Sequence, residues 1–576
     1  AAPVITRWGL QVDPKAPLPE HPRPQLVRPD WVNLNGPWSY AFTRSEAPPA
    51  RWTGEIIVPF SPETELSGVG QQLLPDDWLW YQRNVEIEAQ PGKRLLLHFG
   101  AVDQICTVWV NDVEVGSHVG GYLPFSFDIT DQMADSSLSI RVRVQDFSET
   151  HFHARGKQRL DRGQIWYTAQ SGIWQTVWLE WVPEVHITEL LFTPKLAEES
   201  VEVTISATAD TDARLVIDQT EHTLSTNQAT LLPLSEVRLW SPTEPSLYDV
   251  HVTLPESADA VSSYFAMREF GIDHSQQPPG LTLNGEPITH VGLLDQGYWP
   301  ESLLTPPSDE AMVFDITTAK ELGYNMLRKH VKIEPLRWYH HCDRLGILVW
   351  QDLVNGGGRY RSLVANLPAR LPLKINDRHH RLYFRDDEAG RSQFLSEVDQ
   401  TVRLLRNVPS ICVWVPFNEG WGQFNANAVA DRVKALDPSR LVNHVSGWVD
   451  QGGGDIRSFH RYLGKFKMPR RLDRRRAVAL TEYGGYSVKV AGHDWSQNEF
   501  GYQHFEDLPT FEQAFLELLD HLDEPVAAGL STLVYTQLTD VEDELNGLLT
   551  YDREVLKLSP DAAALARGKH ERWACD

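Results

Sequence analysis

One break in hydrophobic grammar, near residue 275, constrains this chain more than any other feature. Ahead of it, apolar residues come in short runs separated by turn signals: EIIVPF at 55–60, LLLHFG at 95–100, CTVWVNDVEVGSH at 106–118, LSIRVRV at 138–144 and QTVWLEWV at 175–182. Thr107-Val108-Trp109-Val110 alternates with the period of two expected of half-buried strands, and Asn111-Asp112 and Gly120-Gly121 supply turns. Strands at about ten-residue spacing predict a β-sandwich or jelly roll over residues 1–183. The same pattern continues at smaller scale from VEVTISA (201–207) to SSYFAMREFGI (262–272). About 90 residues fit one Ig-like sandwich, here 184–274.

Beyond the Pro/Gly punctuation HSQQPPG (274–280), strand and helix signals alternate. The strand candidates are PITHVGLL, YNMLRKH, ILVWQD, ICVWVPFN, LVNHVS, DIRSFH, AVALTEY and GLSTLVYTQ. Between them lie helical patterns, one opening after Ser308, another closed by Gly346, and others around 391–406, 425–436, 511–522 and 559–567. Eight such strands over residues 275–576 predict a (β/α)8 barrel, so the fold class is multidomain β plus α/β. The stretch 355–390 is too long for an ordinary connection and is expected to be a functional loop over the barrel mouth.

Composition narrows the partners. With 53 basic and 78 acidic residues the net charge is −25, a field that repels nucleic acid and anionic membrane, so neither is an expected partner. No run approaches the roughly 20 apolar residues of a membrane helix. The N-terminal residues AAPVITRWGL lack a signal-peptide pattern, which favours a cytoplasmic over a secreted location, although a cleaved leader leaves no trace. Four cysteines are too sparse for a disulfide framework or a zinc site. The 20 Trp, 17 Tyr and 21 Phe read either as sandwich core or, in part, as platforms for the apolar faces of sugar rings. An aromatic-rich β surface also admits a homo-oligomer.

A barrel carries its chemistry at the C-terminal ends of its strands. There the fourth strand candidate ends in Asn418-Glu419 and the seventh in Glu482-Tyr483. The second ends in Arg328-Lys329-His330 and the third in Gln351-Asp352. His444, Trp448, His460 and Tyr462 follow the fifth and sixth, and Tyr535, Gln537 and Asp540 the eighth. Two glutamates facing a barrel mouth can cleave a glycosidic bond, one as proton donor and one as nucleophile. They lie about 5–5.5 Å apart for retention and about 6.5–9.5 Å for inversion. Each is read equally well, on placement alone, as a salt-bridged strand end.

The run Arg406-Asn407-Val408-Pro409 through Phe417-Asn418-Glu419 resembles the acid/base signature of glycoside hydrolase family 2, and TEYGG at 481–485 resembles its nucleophile motif. LNGPW (34–38), SGIWQTV (171–177), REFGI (268–272) and LNGEPI (283–288) match further family elements. The resemblance implies a sugar-binding jelly roll, an Ig-like sandwich and a catalytic barrel. It implies Glu419 as general acid/base, Glu482 as nucleophile, Asn418 on the substrate 2-hydroxyl, Arg328 bracing the nucleophile and Tyr462 beside it. His330, His460, Asp352, Trp448, Tyr535, Asp295 and Gln296, at or just beyond strand ends, are expected to line the sugar pocket. Gln164 and Trp166 in the loop 160–174 are read either as pocket residues or as inter-domain packing.

Departures limit the substrate. Lys329-His330-Val331-Lys332 replaces the family's Ser-His-Tyr-Pro run, and Leu294-Asp295-Gln296-Gly297 replaces the Asn-Arg-His-Glu run of metal-dependent β-galactosidases. No magnesium site and no cofactor are therefore expected. Tyr535 stands where the family has a tryptophan, Val349-Trp350-Gln351-Asp352 is similar to β-mannosidases, and the Asn-x-Lys element of β-glucuronidases is missing. The expectation is a retaining, β-galactosidase-like exo-glycosidase acting on a carbohydrate. A furanosidase (β-galactofuranosidase or α-L-arabinofuranosidase), a β-glucuronidase and a β-mannosidase are the alternatives within the family. An inactive carbohydrate-binding protein is the alternative outside catalysis, and retention of both carboxylates argues against it.

Overall fold

The computed structural model describes residues 3–133, 135–361 and 375–575. The middle of the predicted mouth loop 355–390 therefore lies outside the described residues. Among the described residues no helix is long and apolar enough to cross a membrane.

The first domain is a sandwich. A six-stranded antiparallel sheet, built on Gly36–Thr43, Trp78–Glu86, Ser137–Gln145 and Ile105–Val110, faces a four-stranded sheet centred on Val177–Pro183 and Lys93–Phe99. Period two decides the packing. In Ser137–Gln145, Leu138, Ile140, Val142 and Val144 are buried while the residues between them are not. Those four meet Trp38, Leu97, Val108 and Leu179 in one core. The second domain pairs a three-stranded sheet with a four-stranded one around Val203, Leu215 and Val250. Phe270–Asp273 then pairs with Gly280–Leu283, so HSQQPPG is the turn of a hairpin and both sides of the expected 274/275 boundary share one small sheet. Phe270, Leu281 and Leu283 of that hairpin plug the bottom of the barrel.

The barrel strands are β1 (His290–Asp295), β2 (Met326–Lys329), β3 (Leu348–Asp352), β4 (Ile411–Val415), β5 (Leu441–Val442), β6 (Ile456–Arg461), β7 (Ala477–Gly484) and β8 (Thr532–Thr536). They are parallel, in the order β5-β4-β3-β2-β1-β8-β7-β6, and the Asp455 amide bonding the Val442 carbonyl at 2.8 Å joins the two ends. The helices are α1 (Asp309–Glu321), α2 (Leu336–Leu345), α3 (Glu388–Leu405), α4 (Ala426–Leu436), α5 (Leu508–Ala527) and α6 (Pro560–Cys575). Local chemistry sets their ends: the Ser308 side chain caps α1 by accepting from the Ala311 amide, and Gly346, at φ 81°, ends α2 in the left-handed region. Inside the barrel Met326, Leu348, Trp350, Val413, Ala479 and Val534 interlock. Their neighbours along the strands, Leu327, Val349, Leu480, Leu533 and Tyr535, face the helices. All eight strand ends thus open on one face.

Candidate active site

Glu419 follows Phe417–Asn418, a short extension beyond β4 that pairs with Val445–Ser446. Its backbone is left-handed, φ 51°, and its amide bonds the Ser446 carbonyl at 3.0 Å. Glu482 lies on β7. Both are buried, and with His460 they bring one donor atom each within 4.8 Å of the others. Carboxylate oxygens within 4.8 Å of each other fit the retaining separation of about 5–5.5 Å better than the roughly 6.5–9.5 Å of inverting sites.

Their surroundings separate the two acids. Burial, then the charge of Glu482, raises Glu419 above the ordinary carboxylate range. Burial would raise Glu482 too, but the cationic groups around it, Arg328 and Lys157 among them, outweigh it and hold Glu482 low. One carboxyl is thereby kept as an acid and the other as an anion, the division of labour a double displacement needs.

Arg328, with 0% exposure, organises the anion. Its Nε and Nη2 each donate to Asp352 at 3.0 Å, Nη1 reaches Glu482 Oε1 at 3.3 Å, and Nη2 also donates to Asn418 Oδ1 at 2.8 Å. Asn418 is left with a buried Nδ2 that has no partner among the described residues, a donor free for a ligand oxygen. Tyr462 donates to Glu482 Oε2 and lies 3.1 Å from Thr536 Oγ1. Burial, then the charge of Glu482, keeps its phenol protonated.

Burial, together with Lys157 and Arg328, holds His330 far below the ordinary imidazole range. The neutral ring meets Asp352 through Nδ1 at 2.7 Å, so its Nε2, buried and without a partner, is a hydroxyl acceptor. His460 Nδ1 is 2.8 Å from Glu419 and 3.4 Å from Glu482, and Trp448 covers the ring edge-on at 5.4 Å. Glu419, His460 and Glu482 are the only such trio among the described residues. Arg328 and Tyr462 already hold the oxygens of Glu482, and Glu419 holds His460, so these donors are matched to one another.

The closed end of the pocket joins two domains. Tyr167, from the first domain, donates to Glu544, which also accepts from Gln537 at 3.3 Å and Gln296 at 3.5 Å. Arg162 bonds Asp543 at 2.9 Å and the Thr168 amide bonds Glu542 at 3.0 Å. Trp166 packs on Trp421 at 5.2 Å, two residues beyond Glu419. Lys157 is 5% exposed, lies 5.7 Å from the Trp421 ring and 5.6 Å from that of Tyr167, and has no carboxylate within 4.0 Å among the described residues.

Eight of the predicted residues other than the two glutamates gather here: Asn418, Arg328, Tyr462, His460, His330, Asp352, Trp448 and Gln296. Trp166 stands at the mouth. Three do not reach the pocket. Tyr535 points the other way along β8, onto Phe515 of α5 at 5.0 Å; Thr536, one residue on, faces the pocket instead. Asp295 is held by Lys329 at 3.0 Å behind the barrel wall. Gln164 is the exposed tip of a tight turn closed by two bonds between Gly163 and Trp166. Sequence reasoning missed Lys157, Ser446, Thr481, Thr536 and Glu544. Lys157 and Glu544 lie in irregular segments with no period, and the hydroxyl residues have no motif of their own.

A deep carboxylate pair on a barrel behind two β-sandwiches defines the class, and sequence comparison identifies the family. The sugar binding domain of glycosyl hydrolases family 2 matches residues 75–183, the family's following domain 185–268 and its TIM barrel domain 307–478. Together these take in more than half of the chain, which belongs to glycoside hydrolase family 2. The β-galactosidase of Thermoanaerobacter pseudethanolicus is 25% identical over 440 residues, covering 72% of this chain and 55% of the relative. The chain spans about half the length of the curated relatives it matches. Among solved structures, the Ruminococcus gnavus β-glucuronidase has a TM-score of 0.74 at 17% identity, covering 95% of this chain and 98% of that one. The Eisenbergiella tayi β-galacturonidase bound to galacturonate has a TM-score of 0.71 at 18% identity, covering 95% and 98%. These two likenesses concern the fold.

Proposed function

We propose that the chain is a retaining exo-glycosidase that releases a terminal, non-reducing sugar. The observation that carries this reading is the carboxylate pair within 4.8 Å whose members are shifted in opposite directions. Glu419 gives its proton to the leaving oxygen while Glu482 attacks the anomeric carbon. The glycosyl-enzyme so formed neutralises Glu482, Glu419 takes a proton from water, and the hydroxide oxygen displaces Glu482 with overall retention. The exo mode is in line with the family to which the chain belongs, and Tyr167, Gln537 and Gln296, gathered on Glu544, are the residues that would close the far side of the pocket.

A β-galactoside is the first candidate substrate, in line with the names of the relatives similar in sequence. One observation favours a second sugar: among the described residues Lys157 is a buried cation without an anionic partner, which suits a carboxylate-bearing sugar. The test is a panel of para-nitrophenyl β-galactoside, β-glucuronide, β-galacturonide, β-mannoside, β-galactofuranoside and α-L-arabinofuranoside, each with wild type and Glu482→Gln. NMR of the first-formed anomer reports stereochemistry. Hydrolysis with retention, abolished by the substitution, is expected; inversion, or turnover that survives it, would overturn the assignment.

A further inference from the structure

His460 is placed differently from a sugar ligand. It lies on β6 with its side chain fully buried, and both ring nitrogens are engaged by protein atoms. Nε2 is 2.7 Å from Ser446 Oγ, Ser446 Oγ is 2.8 Å from Thr481 Oγ1, and Thr481 Oγ1 is 3.4 Å from the Phe459 carbonyl. A carbonyl can only accept, so it orients the whole chain. Thr481 donates to Phe459, Ser446 donates to Thr481, and the acceptor left on Ser446 takes the proton on His460 Nε2. In the neutral ring Nδ1 is then a lone pair, and it points at Glu419 Oε1 from 2.8 Å. Two acceptors cannot sit that close without a proton between them.

We infer that Glu419 and His460 share the acid proton as a dyad, with His460 as a positioning residue that holds Glu419 in its protonated form. This rests on the proposed glycosidase chemistry and adds to it what keeps the acid charged with its proton. Proton balance is simple. Glu419 O–H breaks as the leaving oxygen gains the proton, and the carboxylate then faces a lone pair. That mismatch makes Glu419 a stronger base when water attacks, and the proton lost by water restores the Glu419 O–H···Nδ1 bond. His460 ends each half-reaction unchanged.

The fold keeps this geometry. The Ser446 carbonyl pins the Glu419 amide, so one residue fixes both halves of the dyad. Gly447, at φ 90°, would place a Cβ 2.8 Å from the ring if it carried one, so only glycine leaves the imidazole its seat. The charged and titratable groups facing the dyad are Glu482 from β7, Arg328 and His330 from β2, Asp352 from β3, Tyr462 beyond β6, Tyr502, and Lys157 from the first domain. Burial and the charge of Glu482 favour the protonated form of Glu419; a lone pair on His460 Nδ1 adds to that preference, whereas an imidazolium there would oppose it.

The inference is tested on the whole chain in two ways. With ¹⁵N-labelled histidine, the signal lost in His460→Asn is expected to carry its proton on Nε2 and none on Nδ1 at neutral pH. An imidazolium or an Nδ1–H tautomer would overturn the dyad whatever the enzyme hydrolyses. In kinetics, His460→Asn is expected to lower the basic limb of kcat/KM by about half a pH unit or more, because removing an acceptor that favours the neutral acid lowers its pKa. Losses should reach about tenfold or more for leaving groups that need protonation and be smaller for 2,4-dinitrophenyl glycosides. Ser446→Ala, which frees Nε2 without touching a carboxylate side chain, should move the limb the same way by less. An unmoved or raised limb in both variants refutes the dyad, whereas a wild type that hydrolyses nothing refutes the glycosidase reading and leaves the tautomer measurement to decide this one.

Discussion

Replacing Arg328 with methionine removes one guanidinium that serves Asp352, Glu482, Asn418 and the Thr481 carbonyl together. At 3.3 Å from Glu482, its charge is worth about 4–5 kcal/mol of gross attraction at an effective dielectric of about 20. The closer Asp352 competes for that charge, so about half is a reasonable share, equivalent to about 1.5–2 pKa units at 1.36 kcal/mol each. The sign is fixed by Glu482: its folded pKa is held low, burial pushes it upward, and removing the opposing cation lets burial act. The acidic limb of kcat/KM should therefore move to higher pH by about 1–2 units, with the basic limb little changed. Asp352 and Glu482 also lose their shared cation, keeping only His330 and Tyr462 as side-chain hydrogen-bond partners, and stranding buried charge in this way costs about 3–5 kcal/mol at neutral pH. Because native Glu482 is depressed, its share of stability is present above the unfolded carboxylate pKa of about 4 and is lost as pH falls below it, so the variant's deficit shrinks in acid. Full pH profiles on an aryl glycoside and urea denaturation at neutral and acid pH measure both. An acidic limb that stays in place in a folded variant would refute the view that Arg328 keeps the nucleophile ionised.

Other substitutions give independent readings. Glu419→Ala should cost about 10²–10⁴ in kcat/KM with poor leaving groups and much less with dinitrophenyl glycosides, and added azide should accelerate turnover to a retained glycosyl azide. Lys157→Gln should cut kcat/KM for uronides by about tenfold or more while leaving neutral glycosides within a few-fold, if the sugar bears a carboxylate; equal loss on both assigns Lys157 to the electrostatics of the carboxylate pair. Tyr167→Phe removes one of three donors to Glu544 Oε2, leaving Gln537 and Gln296; it should destabilise the chain by about 1–3 kcal/mol, read as a lowered melting temperature, and raise KM more than it lowers kcat.

Much of this was legible because it depends on repeating patterns. β2, β3, β4 and β7 read as continuous apolar runs since both faces of a barrel strand are covered, and a carboxylate at the end of such a run has only the mouth to face. What was not legible depends on a half-period or on partners far along the chain. Tyr535 and Thr536 differ by one position, and register shifts where β7 pairs with β8, between Leu480 and Tyr483, so no count along one strand decides which of them faces the pocket. Asp295 sits at a strand end as the site residues do, but Lys329 on the next strand claims it. The Ser446–Thr481 relay joins hydroxyls 35 residues apart, and nothing in either segment marks them as a pair.

The wall made by Tyr167 and Glu544 joins residues 377 positions apart. On the ribosome the first half of that wall emerges long before the second, because domains are synthesised from the N-terminus and tend to fold as units in that order. Not until the segment around 537–546 has emerged can that wall form, so a nascent chain ending between Glu482 and this segment carries both glutamates yet lacks the Glu544 that Tyr167 meets. A product truncated there would keep the residues of both sandwiches and of the carboxylate pair, and would lose the partner that ties the first domain to the end of the barrel.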